Sequence, residues 1–435
     1  MQRQVSVTTA MGAALRRIQL GNALSAFGNG FTVPFLFIYV AQVRGLGAGT
    51  AGTVLALFAV AALLVLPFTG RVIDQRGPVP VAVTGTVLAA LGALGIALSA
   101  GVAATFASAA VFGAGIAVIQ PALATMIVWC STTATRSRAF ATQFFLNNLG
   151  LGVGGLLGGL VVDPGRPSSF LLLFMIESAM YVLLGVIVAT VRLPDGPRVE
   201  RLGRVGVGAE DGGPARGGWR TMLSDRAMVT LCVLGFVTFF ACYGQFESGL
   251  SAYAVEASRI SPATLGVALA ANTAVIVVAQ FVVLKVVERR RRSRVIAVVG
   301  LIWTVAWLAA GTSGLVAERH ALAVAAIIST YALFGLGEAM LSPTVAPLVA
   351  DLAPPRMVGQ YNSAFALVKQ LALAVGPAVG GPMGATLHVP YIVMLVLCSL
   401  GITALALLLG RRLTAAQDSP LRAAPDASPE IAAAA

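Results

Sequence analysis

Twelve stretches of twenty or more nearly uncharged, apolar residues follow one another along this chain, near 18–43, 48–69, 80–101, 104–129, 140–162, 168–191, 227–254, 262–284, 295–315, 321–350, 360–385 and 389–410. Each is long enough to cross a bilayer as a helix. Lipid satisfies no backbone hydrogen bonds, so the segments must form helices that close their own ladders. Only 11% of the residues are charged, against about 25% in an ordinary soluble domain. Too little polar surface remains to cover a soluble fold. The expected class is an all-α integral membrane protein of twelve transmembrane helices.

The net charge of +12 raises the possibility of nucleic-acid binding, and its distribution argues against that. With both termini on one side, the loops of that side and the tails carry 24 of the 29 Lys+Arg, among them Arg16, Arg17, Arg71, Arg76, Arg136, Arg138 and the run Arg289–Arg292. The opposite loops carry Arg44, Arg166, Arg259 and Arg319. The positive-inside rule then predicts a multi-pass protein of the cell membrane with both termini cytoplasmic. The N-terminal segment is polar and basic, and the apolar run after it is too long for a cleavable signal. Cys130, Cys232, Cys242 and Cys398 lie in or beside spans without paired spacing and read as small apolar packers.

A Gly-, Pro- and charge-rich stretch, 192–226, divides the spans six and six. It reads as a flexible cytoplasmic linker between bundles 1–191 and 227–412, with a disordered tail over 413–435. The halves repeat. FGAGIAVIQP (112–121) aligns with FGLGEAMLSP (334–343), and LGLGVGGLLGG (149–159) aligns with LALAVGPAVGG (371–381), at the same offset. Duplicated halves predict a substrate site at mid-membrane, on their interface.

GRVIDQRGP (70–78), between spans 2 and 3, resembles the loop signature of the major facilitator superfamily through Gly70, Asp74 and Gly77. Arg76 keeps one of its basic residues, whereas Pro78, Val79 and Pro80 depart from it. The resemblance implies that Asp74 holds the cytoplasmic ends of the halves together with an arginine of the span 4–5 loop, Arg136 or Arg138. Gly150, Gly154, Gly158 and Gly159 are similar to the antiporter signature of that superfamily, with Gly155 in place of its proline; GPAVGG, with Gly376, Gly380 and Gly381, carries the proline form in span 11. Small residues at this spacing also let helices approach closely whatever the function, and close packing is the favoured reading. Ala109 stands where drug–proton exporters of the superfamily often carry an arginine, so any proton coupling is arranged differently here. GQFESGLSAYA (244–254) resembles the family pattern of span 7, with Ser251 replacing its proline. The resemblance runs to Leu409 and points to the drug:proton antiporter branch.

Four ionisable residues fall inside predicted spans: Glu177, Glu247, Glu338 and Lys369. A charge at a helix centre costs about 2.5–3.5 kcal/mol, so each must meet water, find a partner or be neutral. A carboxyl that loses water on one side and regains it on the other can carry a proton. Glu338 is the leading candidate, because its repeat counterpart is Ile116 and the duplicated packing needs no carboxylate there. Tyr331, Phe334 and Ser342 share its helical face. Glu247, on a face with Tyr243 and Ser251, and Glu177, on a face with Tyr181, are further proton-coupling candidates. Lys369 reads as a counter-charge. Asn22, Ser25, Asn29 and Thr32 form a polar stripe on span 1 that should face protein or the central cavity. Gln120, Asn147, Gln245, Asn272 and Gln280 are placed with it as cavity candidates, although such amides often only tie helices together. Trp303 and Trp307 read as an interfacial or lipid-facing anchor.

No phosphate-cradling loop, metal-binding pattern or nucleophile–base arrangement is present. The expectation is therefore a non-enzymatic, cofactor-free, monomeric transporter acting by alternating access. Its partners are a small amphiphilic or drug-like molecule, protons and membrane lipid, with no nucleic acid and no metal, and export by proton antiport leads. Uptake or facilitated diffusion of a specific metabolite is the alternative, and a non-transporting membrane receptor is the alternative of another class.

Overall fold

The computed structural model describes residues 2–163, 165–193, 218–246 and 248–423, with the side chains of 2–11, 262 and 423 left aside. Residues 194–217 of the expected linker 192–226 and Glu247 lie outside the described residues. The last part of that linker is not a flexible segment, since Trp219–Ser224 are helical and Asp225 caps the helix that follows. No strand occurs among the described residues, and twelve helical segments are long and apolar enough to span a membrane.

The first six spans are α1 (Gln2–Ile38), α2 (Ala48–Arg76), α3 (Pro78–Leu98), α4 (Val102–Trp129), α5 (Arg136–Val161) and α6 (Pro167–Thr190). A π-turn over Tyr39–Val43 closes α1. The short α7 (Trp219–Ser224) leads into the second half. There α8 (Arg226–Ala241), α9 (Tyr243–Phe246) and α10 (Gly249–Glu256) form one broken span, followed by α11 (Pro262–Val287) and α12 (Arg292–Leu315). The tenth span is also broken, into α13 (His320–Leu341) and α14 (Val345–Leu352), at the interruption Ser342-Pro343-Thr344. α15 (Val358–Thr386) and α16 (His388–Gly410) complete the bundle.

The signals that start and stop these helices are local. Asp225 caps α8 by accepting from the Ala227 and Met228 amides, and Ser261 caps α11 through the Thr264 amide. Gly77 turns α2 into α3 at φ +88°, a conformation that favours glycine, and Pro78 opens α3 where a missing N–H costs nothing.

Each half has its own core. Tyr39, Phe112, Phe170, Phe174 and Tyr181 centre the first; Trp303, Trp307, Tyr331, Phe334 and Tyr391 centre the second. The pseudo-symmetry shows in the glycines. A Cβ on Gly150 would meet the Ala23 carbonyl oxygen at 2.5 Å and one on Gly158 the Phe31 carbonyl oxygen at 2.9 Å, so α5 lies directly on α1. At the repeat position of Gly154, Gly376 sets α15 against Gly244, with a Cβ 2.7 Å from its Cα. Gly380 packs on Gln245 in the same way, while Gly159 and Gly381 have room for a Cβ. Gly150, Gly154, Gly158, Gly376 and Gly380 serve close packing, and the expectation fails for Gly159 and Gly381, which have no neighbour close enough to require glycine.

Two further expectations fail. Trp303 and Trp307 face no lipid: both are fully buried, packed edge-on against Phe334, and the Trp307 indole donates to the Ala241 carbonyl at 3.1 Å. A large ring with a polar handle fills the space beside the broken span, where a free carbonyl needs a donor. The tail is also not unstructured from residue 413. Residues Ala415–Asp418 (α17) and Pro420–Ala423 (α18) are helical, and Asp418 is buried, accepting from the Ser293 amide at 2.8 Å and its hydroxyl at 3.0 Å. The unsatisfied N-terminus of α12 draws the carboxylate in.

Candidate functional site

The two halves meet along α2, α4 and α15 and along α5 and α11. Every hydrogen bond and ion pair between them among the described residues lies on one side, the basic face that carries Arg71, Arg76, Arg136, Arg138 and Arg289–Arg292. Asp74, at the end of α2, accepts from the Gly359 amide at 2.7 Å and from the Gln360 amide and side chain at 3.0 Å each. Those amides belong to the free first turn of α15, so a carboxylate of one half caps a helix of the other. Gly70 permits the approach: a Cβ there would lie 2.6 Å from the Gln360 Cα. Arg76 is exposed and takes no part.

The expected partnership of Asp74 with Arg136 or Arg138 is therefore corrected. Asp74 is satisfied by α15, and the arginines reach carboxylates missed in the sequence. Arg136 pairs with Asp351 at the end of α14, which also takes Arg292 at 2.6 Å. Arg138 grips Glu288 with two bonds of 2.9 and 3.1 Å. Asp351 and Glu288 are lone acids among basic residues at span ends, which is the only sequence signal that could have found them. Deeper in, Asn362 bonds the Thr125 hydroxyl at 3.3 Å, and Ala62, Leu66 and Ala117 pack against Ala366 and Leu367. Phe145 and Phe281 meet across α5 and α11 with centroids 4.9 Å apart. The basic side is closed by two rings of contact, one charged and one apolar.

Above this closure lies the leading candidate. Glu338 is 3% exposed and accepts from the Asn272 side-chain amide at 2.9 Å, with Tyr243 and Lys369 as its electrostatic neighbours. Lys369 lies eleven residues into α15, about 16 Å from the basic end, close to half of the ~30 Å hydrocarbon core. Its ammonium sits 5.1 Å over the Phe239 ring. The side chain keeps exposed surface beside Phe239, with Glu338 as its charged neighbour. Tyr243 is partly exposed beside Phe239 and Phe246. Both broken spans, α8–α10 and α13–α14, flank this cluster, as in transporters whose discontinuous helices frame the site.

The other expected cavity residues divide. Asn272 belongs to the cluster and also donates to the Tyr331 carbonyl at 3.2 Å. Gln120 is exposed on α4 and makes no side-chain hydrogen bond among the described residues. Gln245 is fully buried and saturated: it donates to the Phe240 and Gly376 carbonyls and accepts from the Tyr391 hydroxyl, tying the broken span to α15 and α16. Tyr331 donates to the Phe246 carbonyl at 3.0 Å, and Phe334 is fully buried under Trp303 and Trp307; both build the wall behind Glu338 and do not line a cavity. Gln280 ties α11 to the Ala339 carbonyl and the Ser342 hydroxyl. The stripe on α1 faces protein. Asn22 donates to Asn147 at 3.3 Å, the Ser25 hydroxyl returns to the Asn22 carbonyl, Asn29 accepts from Tyr181 at 2.8 Å, and Thr32 donates to the Gly28 and Leu173 carbonyls. Glu177 is fully buried on α6, with neither carboxyl oxygen hydrogen-bonded among the described residues. An ionised carboxylate so placed is strongly penalised.

Comparison with known proteins agrees with this architecture. The sequence model of the Major Facilitator Superfamily matches residues 18–377 and 255–433. Multidrug resistance protein 2 of Bacillus subtilis (strain 168) is 28% identical over 149 residues, which is 34% of this chain and 37% of that protein. An uncharacterized MFS-type transporter of the same organism, YqjV, is 22% identical over 374 residues, 84% of each chain. Among solved structures, the transporter FucP in its outward conformation aligns with a TM-score of 0.68 at 15% identity, covering 93% of this chain and all of that one. A bacterial homologue of the iron transporter ferroportin in an outward-facing state aligns at 0.69 and 15%, covering 92% and 98%. The human organic anion transporter MFSD10 aligns at 0.64 and 16%, covering 93% and 99%. At these identities the structural likeness concerns the fold.

Proposed function

The chain belongs to the Major Facilitator Superfamily, and on that premise of secondary transport we propose that it exports a small amphiphilic molecule in exchange for protons, with Glu338 as the proton carrier. The observation behind this reading is the cluster itself: a nearly waterless carboxyl held by Asn272, with Tyr243 and Lys369 beside it, at mid-depth, directly above a closed gate. The basic face is taken as cytoplasmic. On this reading the conformer faces outward, and Glu338 exchanges its proton with that side past Tyr243 and Lys369. When Glu338 is neutral, Lys369 loses its counter-charge. When Glu338 is ionised, the pair is restored. That difference is what a transporter needs to tie its conformation to protonation.

The partly exposed aromatic rings Phe239, Tyr243 and Phe246 suit an amphiphilic substrate better than a sugar. Partial identity with a multidrug resistance protein, over 34% of this chain, supports a drug-like substrate. The protein acts as a monomer in this scheme. Glu177, isolated in the first half, is assigned a structural role as a neutral group and not a second coupling site.

The test is concentrative transport of a fluorescent lipophilic cation by proteoliposomes under an imposed pH gradient. Wild type should accumulate the dye in proportion to the gradient, and Glu338→Gln should lose the dependence while still binding the dye. Equal gradient-driven accumulation by both proteins would remove Glu338 from the coupling step.

A further inference from the structure

The turn joining α11 to α12 carries more charge than topology requires. α11 ends at Val287 and α12 begins at Arg292, so the connection sits where two spans leave the bilayer. Lys285, Arg289, Arg290, Arg291 and Arg294 are all exposed there, and none is in a side-chain ion pair or hydrogen bond among the described residues. Glu288, the one acid of the segment, is 7% exposed and already engaged by Arg138 of the other half. Arg138 itself keeps 56% of its side chain exposed despite that double bond, so its guanidinium has donors left. Immediately below the cations, α11 presents Val278, Phe281, Val282 and Val286 as an exposed apolar strip.

We infer that this turn and Arg138 together form a binding site for the headgroup of an anionic phospholipid, complete only while the basic-side gate is closed. A cluster of guanidinium groups over an apolar strip matches a phosphodiester over acyl chains. The strip belongs to the surface of a membrane span, so the group that meets these cations from the bilayer side is a lipid headgroup. Five of the cations belong to the second half and Arg138 to the first, joined through Glu288. Opening the basic side separates Arg138 from the rest and divides the site. A lipid that contacts both parts therefore binds the closed conformer better, and by linkage it raises that conformer's population. This inference requires that the halves move relative to each other, and it does not depend on which molecule is carried or on Glu338.

The experiment uses the full chain in nanodiscs, spin-labelled at Thr133→Cys and Arg356→Cys on facing basic-side loops, with the closed-to-open ratio read by pulsed EPR. Replacing part of the phosphatidylcholine by phosphatidylglycerol should raise that ratio roughly fivefold, the effect of about one arginine–headgroup contact. The variant Arg289→Gln/Arg290→Gln/Arg291→Gln, which leaves Glu288 and Arg292 in place, should lose the response while keeping its distances in phosphatidylcholine. Inorganic phosphate added to phosphatidylcholine discs should not reproduce the shift. An unchanged ratio in phosphatidylglycerol, or a full response in the triple variant, would overturn the assignment. An equal response to free phosphate would make this a soluble-anion site and refute the lipid. Dye transport by the same triple variant separates the two readings, since its gradient dependence tests proton coupling alone.

Discussion

Removing the Asp74 carboxylate should open the basic side of the bundle. Asp74 accepts three bonds from α15 at 2.7, 3.0 and 3.0 Å, and two of the donors are free backbone amides of a helix N-terminus. A hydrogen bond to a charged group contributes about 1.5–3 kcal/mol, and a negative charge at a helix N-terminus adds about 0.3–1 kcal/mol. The amides lie at the membrane surface, where water can replace part of what is lost. Asp74→Ala should therefore weaken the closed state by about 3 kcal/mol, roughly a hundredfold in the closed-to-open ratio. Asp74→Asn keeps one acceptor and removes the charge, and should cost about 1–2 kcal/mol, near tenfold. Because Arg136–Asp351 and Arg138–Glu288 remain, the alanine variant should populate both conformers and stay folded. The label pair Thr133→Cys/Arg356→Cys reports the ratio directly. An alanine variant as closed as wild type would refute the reasoning, since Asp74 would then not hold the halves together.

Gly154→Ala should lower thermal stability by about 1–3 kcal/mol through overpacking, because its Cβ would enter the Phe27 backbone, whereas Gly155→Ala, with its nearest neighbour at 3.6 Å, should be neutral; thermal unfolding of the pair checks this. Glu177→Gln should change stability by less than about 1 kcal/mol, since an isosteric neutral group replaces one already held without a partner; a large fall in Tm would mean that the native group is ionised. Asp418→Ala removes the cap on α12 and should cost about 1–2 kcal/mol, visible as a lower Tm. Burial pushes the Cys130 thiol up to about 11, so maleimide at neutral pH should label it far more slowly than an engineered surface cysteine.

The twelve spans, the division into halves and five of the seven packing glycines were legible because membrane length and small-residue spacing are local features of a chain, whereas Gly159 and Gly381 share the spacing without a neighbour close enough to need it. That Glu338 is a buried carboxyl with a polar partner was foreshadowed for a related reason: its repeat partner is Ile116, so the carboxylate stood out against a duplicated frame. The gate partners were not. Asp74 could be assigned to the interface, but its true donors are backbone amides of α15, and no residue type announces a free amide. Gln245 and Thr32 looked like cavity groups because they are polar within apolar helices; their partners are carbonyls exposed by broken or closely packed neighbours, which only the three-dimensional arrangement reveals. Trp303 and Trp307 failed for the same reason, since an amphipathic ring suits a helix break as well as a membrane surface.

The central claim is that Glu338 carries the proton that drives transport, and proton flux measures it most directly. Proteoliposomes holding a trapped pH indicator would be given an outward gradient of the lipophilic cation with no imposed pH difference. Wild type should take up protons as the cation leaves; Glu338→Gln should exchange labelled for unlabelled cation at a comparable rate with no change in internal pH. Substrate-driven proton movement that persists in Glu338→Gln would contradict the account.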